Sequence, residues 1–289
     1  MKKSRRRILV LKLGRSERGE IENPSETRLD EVLQATVLLH RFRDDQVTWL
    51  TDPSAVPLLE GNPYLRRLLV STPGTLEALT TQSFDLVLDL DRDPRIHALA
   101  DAIEARARIR FDGSRGWSCS ALYQAFGEAW SGEEYVLGRR SAAAVEYDLG
   151  FNVHEGPGWP TRSWPLENWH RLETLVAGRY TISYHQSIGD LAGYMDWIQS
   201  CRLVVTGDGL GLSLALAMKK RVVALAGPTS LREDEMWGRG VVLSPERDLE
   251  CRPCLASSCA FNARTCLEFI RPGVVAGAVA TLLARPAVA

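Results

Sequence analysis

The 289-residue sequence has no apolar run long enough to span a bilayer, which argues against an integral membrane protein. Its start lacks the apolar core of a signal peptide, because Ile8–Leu13 is short and contains Lys12. A formal net charge of −1 gives no general attraction to nucleic acid. Six cysteines are too few for a disulfide scaffold in a chain of this length. We therefore predict a cytoplasmic protein with no nucleic-acid partner.

Familiar catalytic signatures are missing as well. None of the five histidines pairs with another at the HExxH spacing of a zinc hydrolase. No serine lies in a nucleophile-elbow sequence, and no lysine lies in a Walker A sequence. These absences argue against three common classes of hydrolase.

Apolar runs and amphipathic segments alternate along the chain. The runs Arg6–Leu13, Gln46–Thr51 and Phe84–Asp91 predict buried strands, and segments of helical periodicity lie between them. The same alternation returns in the second half. The pattern predicts two α/β domains with mainly parallel sheets, over residues 1–143 and 144–289.

Two boundaries are expected at particular places. In the first half we predict a helix over Arg95–Arg106, followed by an extended segment over Ala107–Phe111. In the second half the strand Arg221–Gly227 leads into a loop that carries cysteines, and a last helix begins near Pro272.

The stretch "TGDGLGLSLALAMKKRVVALAGPTS" places glycines around one acid, Asp208, at the end of a buried strand. Gly207, Gly209 and Gly211 permit a tight turn and a close approach of the backbone to a ligand. The helix that follows turns its free N–H groups toward this loop, which suits a phosphate. The alternative is an ordinary turn in which Asp208 caps the helix.

Two further loops also follow strands. In "GPGWPTRSWP", prolines stiffen the chain around Arg162, whose guanidinium suits a diphosphate; the alternative is aromatic packing with Arg162 in solvent. In "AGPTS", Gly227 permits a turn and Thr229 offers a hydroxyl. Because ligands of doubly wound sheets bind at the carboxyl ends of strands, the three loops together predict one pocket.

Four cysteines cluster near the C-terminal end, at Cys251, Cys254, Cys259 and Cys266. A CxxC pair followed by two more thiols is compatible with a tetrahedral zinc or iron site, although the spacing is not that of a zinc finger. The alternative is reduced thiols that pack within a loop. We expect Cys119 and Cys201 to be core thiols.

Segments along most of the chain resemble glycosyltransferase family 9, which comprises the ADP-heptose:lipopolysaccharide heptosyltransferases and their relatives. They are "ILVLKLG", "VTWLTDPSAVPLLEGNPYLRRLL", "FDLVLDLDRDPR", "WPTRSWPLENW", "LVVTGDGLGLSLALAMKKRVVALAGPTS" and "CRPCLASSC". The resemblance implies a GT-B-like fold, with two Rossmann-like domains facing a cleft. It also implies inverting transfer of a heptose-like sugar from a nucleotide-diphosphate donor such as ADP-heptose, with no cofactor required. The acceptor is a glycan, a lipid-linked molecule or a protein.

The resemblance assigns donor-binding positions in the second domain. Arg162 stands at the position of the family's donor-phosphate lysine, so the positive charge is kept. Asp208 stands at the acid of the Asp-(Thr/Ser)-Gly loop, whereas Ser213 replaces the family's histidine. The other donor-side positions are Gly209, Gly211, Gly227 and Thr229.

The catalytic positions differ more from the family pattern. In "DEV", Glu31 stands where the family has its catalytic aspartate, and Asp30 stands where it has glycine. An insert over about residues 15–27 precedes them. Glutamate can still accept the proton of an acceptor hydroxyl.

The second domain is also shorter than the resemblance predicts. Between Ala177 and Tyr180 the family has a further strand and helix, including a glutamate that contacts the nucleoside. We expect one βα unit to be missing there. These departures favour an alternative function, a non-catalytic GT-B-like binding or assembly subunit.

The N-terminal tip is basic, with Lys2, Lys3, Arg5, Arg6 and Arg7. It is either a solvated leader or a weak peripheral contact with the cytosolic face of the inner membrane.

Overall fold

In the computed structural model the chain divides into two units, residues 1–139 and 140–289. The structure describes residues 5–14, 28–111, 113, 117–138, 141–153, 160–185, 190–229, 231–247, 249–254, 256, 258–259 and 266–286. Lys2, Lys3 and the insert over residues 15–27 lie outside these ranges. Across the described ranges, none of the helices combines the length and the apolar character that crossing a bilayer requires.

The first unit contains a five-stranded parallel sheet with the order β3-β2-β1-β4-β5. Its strands are β1 (Arg7–Leu11), β2 (Gln46–Thr51), β3 (Leu65–Val70), β4 (Ser83–Asp89) and β5 (Glu104–Arg110). Its helices are α1 (Leu29–Ala35), α2 (Val56–Leu59), α3 (Pro73–Thr80), α4 (Pro94–Ala102) and α5 (Cys119–Gln124). Helix α1 continues as a 3-10 helix over Thr36–Phe42, and a short 3-10 turn covers Pro53–Ala55.

The strand order reverses beside β1, where the chain passes from one side of the sheet to the other. Leu11 at the end of β1 pairs with Leu50 on one side and with Asp89 at the end of β4 on the other. Ligands of such sheets bind outside the carboxyl ends of the strands at this reversal. The first unit therefore presents its binding edge after Leu11 and Asp89.

The second unit contains a five-stranded parallel sheet with the order β10-β9-β8-β6-β7. Its strands are β6 (Tyr147–Asn152), β7 (Ile182–His185), β8 (Cys201–Gly207), β9 (Arg221–Leu225) and β10 (Gly240–Leu243). Its helices are α6 (Leu166–Val176), α7 (Leu191–Ser200), α8 (Leu210–Ala217) and α9 (Pro272–Ala284). Short 3-10 turns cover Pro160–Arg162, Asp234–Met236 and Cys266–Phe269.

The two sheets differ on one side of their first strands, β1 and β6. Strands β2 and β3 lie on the side of β1 away from β4, whereas β7 alone lies on the side of β6 away from β8. Within the described residues the second sheet ends at β7. This arrangement agrees with the prediction that the second domain lacks one βα unit there.

Two local predictions were wrong. The helix predicted over Arg95–Arg106 ends at Ala102, and β5 begins at Glu104. The sequence "EARARIR" alternates small or apolar residues with charged ones, and this period-2 pattern forms an edge strand beside β4. Strand β10 was missed because it is only four residues long and half-buried, and it forms by pairing with β9.

Candidate functional site

The carboxyl edge of the first sheet holds a buried ion pair. Lys12 directly follows β1, and its Nζ lies 2.7 Å from Oε2 of Glu31, in the first turn of α1. Lys12 is 2% exposed and Glu31 is 3% exposed. The Lys12 ammonium also lies 4.2 Å from the centroid of the Trp117 ring, a cation–π contact. Two side chains from separate segments thus fix the position of the lysine.

Two arginines complete the charge cluster around Glu31. Arg28 Nη1 lies 2.7 Å from Glu31 Oε1, and Arg92 Nη2 lies 3.4 Å from the same oxygen. Burial, the largest single influence, raises the pKa of Glu31, but the charges of Lys12, Arg28 and Arg92 together outweigh it and lower that pKa. Glu31 is therefore a carboxylate at neutral pH, surrounded by three cations.

Asp91 and Asp30 lie near this cluster and differ in environment. Asp91 Oδ2 accepts a hydrogen bond of 2.7 Å from the Leu13 N–H, which joins the segments that follow β1 and β4. Asp91 Oδ1 accepts from the N–H groups of Arg92 and Asp93, at 2.9 and 3.0 Å. Asp91 thus shapes the loop. Asp30, beside Glu31 in α1, is only half-buried and is the carboxylate more open to solvent.

In the second unit the three predicted loops follow three adjacent strands. Strands β6, β8 and β9 are neighbours in a parallel sheet, so the segments after them emerge at one edge. Arg162 is half-buried in the 3-10 turn after β6, Asp208 follows β8, and Gly227 and Thr229 follow β9. Gly209, rather than Asp208, is the N-cap residue of α8, and that position makes no side-chain cap hydrogen bond.

The first turn of α8 packs tightly against the sheet. A Cβ atom on Gly211 would lie 2.5 Å from Asn152 Nδ2 and would also collide with Tyr194 Oη. Asn152 Nδ2 donates a hydrogen bond of 2.9 Å to Thr206 Oγ1, which joins the ends of β6 and β8. Ser213, in the same helix, is 3% exposed and lies in the interior of the unit. The requirement for glycine at position 211 therefore comes from packing.

The cysteine-bearing segment is hydrogen-bonded to two of these loops. Arg252 donates from Nε to Gly227 O at 2.8 Å and from Nη2 to Ala226 O at 2.9 Å. Thr161 Oγ1, beside Arg162, donates to Ala256 O at 2.6 Å. These bonds hold the segment against the loops that follow β6 and β9.

Of the two interpretations of the cysteines, the described residues do not assemble the four-thiolate metal site. Cys251 and Cys254 are exposed, and Cys259 and Cys266 are half-buried. All four are described, yet no three potential ligands in the described part of the chain are close enough to hold a metal ion. Burial raises the pKa of Cys266, and the guanidinium of Arg252 opposes this effect. The spacing in the sequence therefore did not predict the spatial arrangement of the thiols.

The two other cysteines lie in the core, as predicted. Cys119 and Cys201 are fully buried. Burial raises the pKa of Cys201 to about 11. The Cys201 thiol is therefore protonated near neutral pH, and burial shields both thiols from reagents in solution.

Sequence reasoning missed four charged residues at these edges, namely Lys12, Arg28, Arg92 and Arg252. Lys12 carried a usable signal, because a lysine directly after a buried strand needs a partner if it stays inside. Arg252 lies within the CxxC motif, and that pattern points to the two thiols and not to the arginine between them. The two remaining arginines had no distinguishing pattern.

Comparison with known proteins gives a short sequence match. No family profile matches the chain. Lipooligosaccharide heptosyltransferase 2 of Campylobacter jejuni is 28% identical over 75 residues, which are 26% of this chain and 24% of that protein. The match thus spans about a quarter of the length of this curated relative.

Comparison with solved structures covers nearly the whole chain. The glycosyl transferase family 9 structure from Veillonella parvula gives a TM-score of 0.67 at 18% identity, over 96% of this chain and 97% of that one. E. coli ADP-heptose LPS heptosyltransferase II gives 0.65 at 15% identity, over 96% and 98%. An iron-containing dodecameric glycosyltransferase of enterotoxigenic E. coli gives 0.58 at 13%, over 96% and 76%. The predicted α/β, GT-B-like fold and the resemblance to family 9 are thereby confirmed.

Proposed function

We propose that this chain, which has the fold of the family 9 glycosyltransferases, transfers a sugar from a nucleotide-diphosphate donor to an acceptor hydroxyl. One observation carries the proposal: three loops with phosphate-binding chemistry follow three neighbouring strands at one sheet edge. The donor we propose is ADP-heptose or a close analogue, because a structurally similar protein is an ADP-heptose heptosyltransferase. The acceptor is a glycan, a lipid-linked molecule or a protein, reached from the cytoplasm.

The donor diphosphate would bind at the edge of the second sheet. Arg162 supplies a guanidinium suited to two phosphate oxygens. The loop from Gly207 to Gly209 brings backbone close to the ligand, and α8 turns its first N–H groups toward the same place. Asp208 keeps the position of the family's acid without capping the helix. These groups stabilise the negative charge that develops on the departing diphosphate.

The reaction we propose is a single displacement with inversion. The acceptor oxygen attacks the anomeric carbon, and the bond from that carbon to the phosphate oxygen breaks. The electron pair of that bond leaves with the nucleoside diphosphate, and the hydroxyl proton moves to a carboxylate of the first unit. No step of this proposal runs through a metal ion.

Glu31 is the base we propose, with Asp30 as the second candidate. The cations around Glu31 keep it ionised, which is the state a base needs, but they also make it a weaker proton acceptor. Asp30 is more exposed to solvent, which favours access to an acceptor. The two carboxylates can therefore be distinguished by substitution.

The test compares Glu31→Gln with Asp30→Asn in nucleotide-release assays and in donor-binding titrations. If Glu31 is the base, Glu31→Gln loses turnover by about a hundredfold or more while donor affinity is unchanged. If only Asp30→Asn has this effect, Asp30 is the base. Equal turnover in the wild type and both variants would reject both assignments.

One alternative function is supported by the structure: a GT-B-like subunit that binds or assembles without transferring a sugar. The ion pairing of Glu31 and the burial of Ser213 both favour it, because each removes a group from direct contact with substrates. Such a subunit would show no nucleotide release with any donor and acceptor. Turnover with one nucleotide sugar would reject this alternative.

A further inference from the structure

A small polar cavity opens at the carboxyl ends of β9 and β10, beside the proposed diphosphate site. Its volume is about 240 Å³. Thr229, after β9, and Ser244, directly after β10, contribute hydroxyl groups. Leu249 and Pro253 form part of its wall. The cavity is smaller than the roughly 300–1,000 Å³ typical of pockets for drug-sized ligands, so it suits a small group rather than a whole nucleotide sugar.

Thr229 lines this cavity with a hydroxyl that lacks a partner. The residue is 4% exposed, and its Oγ1 makes no hydrogen bond within the described part of the chain. Buried hydroxyl groups are normally satisfied, so an orphan beside a cavity indicates a bound group or water. A hydroxyl can both donate and accept, and it therefore matches a phosphate oxygen.

Arg252 supplies a cation held in a fixed orientation. Its Nε and Nη2 bond to the carbonyl oxygens of Gly227 and Ala226, which places the guanidinium at the end of β9. Among the described residues no carboxylate pairs with Arg252, and its Nη1 makes no hydrogen bond. Among the described residues that line the cavity, Arg252 is the one with a charged side chain. Those residues thus give the cavity one positive charge with unused N–H donors.

We propose that this cavity binds a phosphate group, with the Arg252 guanidinium as the anchor and the hydroxyls of Thr229 and Ser244 as further hydrogen-bonding groups. Charge-assisted hydrogen bonds from a guanidinium to an oxyanion are roughly twice as strong as hydrogen bonds between neutral groups. The phosphate is either free phosphate or part of the donor. The inference deepens the proposed function, since the donor carries two phosphates, but phosphate binding itself requires no transferase activity.

The experiment titrates the full chain with inorganic phosphate and, separately, with ADP by calorimetry. Arg252→Gln is expected to weaken phosphate binding by at least about tenfold, and Thr229→Val by several-fold. The matched controls are Arg247→Gln and Thr281→Val, which alter exposed side chains outside the cavity and are expected to bind as the wild type does. Circular dichroism checks that each variant is folded.

Thr229→Ser tests the hydroxyl without removing it, and it is expected to retain phosphate binding. Competition between ADP and inorganic phosphate in the wild type would identify the donor diphosphate as the natural occupant. Independent binding of the two would identify free phosphate or a sugar phosphate. Either result supports the site, provided that Arg252→Gln and Thr229→Val weaken the binding.

Two results would overturn the inference: no saturable phosphate binding by the wild type, or equal binding by the wild type, Thr229→Val and Arg252→Gln. These failures are separable from failure of the proposed function. If the protein binds phosphate in the cavity but transfers no sugar, the inferred site stands and the proposed function is rejected. If it transfers a sugar but binds no phosphate in the cavity, the proposed function stands and the inferred site is rejected.

Discussion

The ammonium nitrogen of Lys12 lies 2.7 Å from a carboxylate oxygen of Glu31, and both side chains are almost fully buried. The pair connects the end of β1 to the first turn of α1, at the edge where the first unit would meet an acceptor. A buried pair is stable only while both partners are present, because either charge alone is poorly solvated. The position of Glu31 therefore depends on Lys12. Because Glu31 is also the proposed base, a change at Lys12 should affect both the stability of the fold and the proposed function.

We expect Lys12→Met to lower the free energy of unfolding by about 3 kcal/mol, because it leaves Glu31 without its most deeply buried partner. Glu31→Gln should lower it by a similar amount. The double variant should lose clearly less than the sum of the single losses, as measured by urea denaturation in a double-mutant cycle. Additive losses would show that the two residues do not interact.

The pH dependence of stability should report on Glu31. Its pKa is lowered on folding, so its contribution is fully present above the unfolded pKa of about 4.3 and is lost as the pH falls through the folded value. The urea midpoints of the wild type and Glu31→Gln should differ most at neutral pH, and the difference should shrink as the pH falls below the unfolded pKa of about 4.3. A constant difference across this window would contradict the lowered pKa.

Gly211 in α8 and Gly277 in α9 should respond in opposite directions to alanine. A Cβ at position 211 would lie 2.5 Å from Asn152 Nδ2, whereas one at position 277 in α9 meets nothing within 4 Å. Gly211→Ala should destabilise the protein by about 1–3 kcal/mol through overpacking. Gly277→Ala should stabilise it by about 0.5–1 kcal/mol through helix propensity. Thermal unfolding tests both, and a stabilising Gly211→Ala would contradict the packing of α8.

Cysteine labelling should divide the thiols into protected and accessible groups. In the native protein, iodoacetamide should modify Cys251 and Cys254 quickly, because both are exposed. Cys119 and Cys201 should react only after unfolding, since both are fully buried and burial raises the pKa of Cys201 to about 11. Mass spectrometry of tryptic peptides gives the order in which the cysteines are labelled. Rapid labelling of Cys201 in the native protein would contradict its burial in the core of the second unit.

The sequence allowed the two sheets to be predicted because their central strands are apolar and parallel. Runs such as "ILVL" and "LVV" admit few other structures, and the glycines after β8 mark its turn. Edge strands were harder to assign. β5 carries charged residues at alternate positions, and β10 is four residues long, so pairing with a neighbour decides their structure.

The environment of the candidate site was beyond sequence reasoning for a different reason. The position of Glu31 in "DEV" points to it, but its charged partners Lys12 and Arg92 come from separate segments, and Trp117 contacts Lys12 from a third. A single sequence does not indicate which distant charges meet. The same limit applies to the cysteines, whose spacing is compatible with a metal site that the described residues do not form.

Nucleotide release from a panel of nucleotide sugars, ADP-heptose included, tests the central claim most directly. The wild type should bind one donor and release its nucleoside diphosphate faster when an acceptor is present. Arg162→Gln should weaken donor binding by about tenfold or more, because it removes a charged phosphate contact. If the wild type neither binds nor turns over any nucleotide sugar, the chain is not a glycosyltransferase.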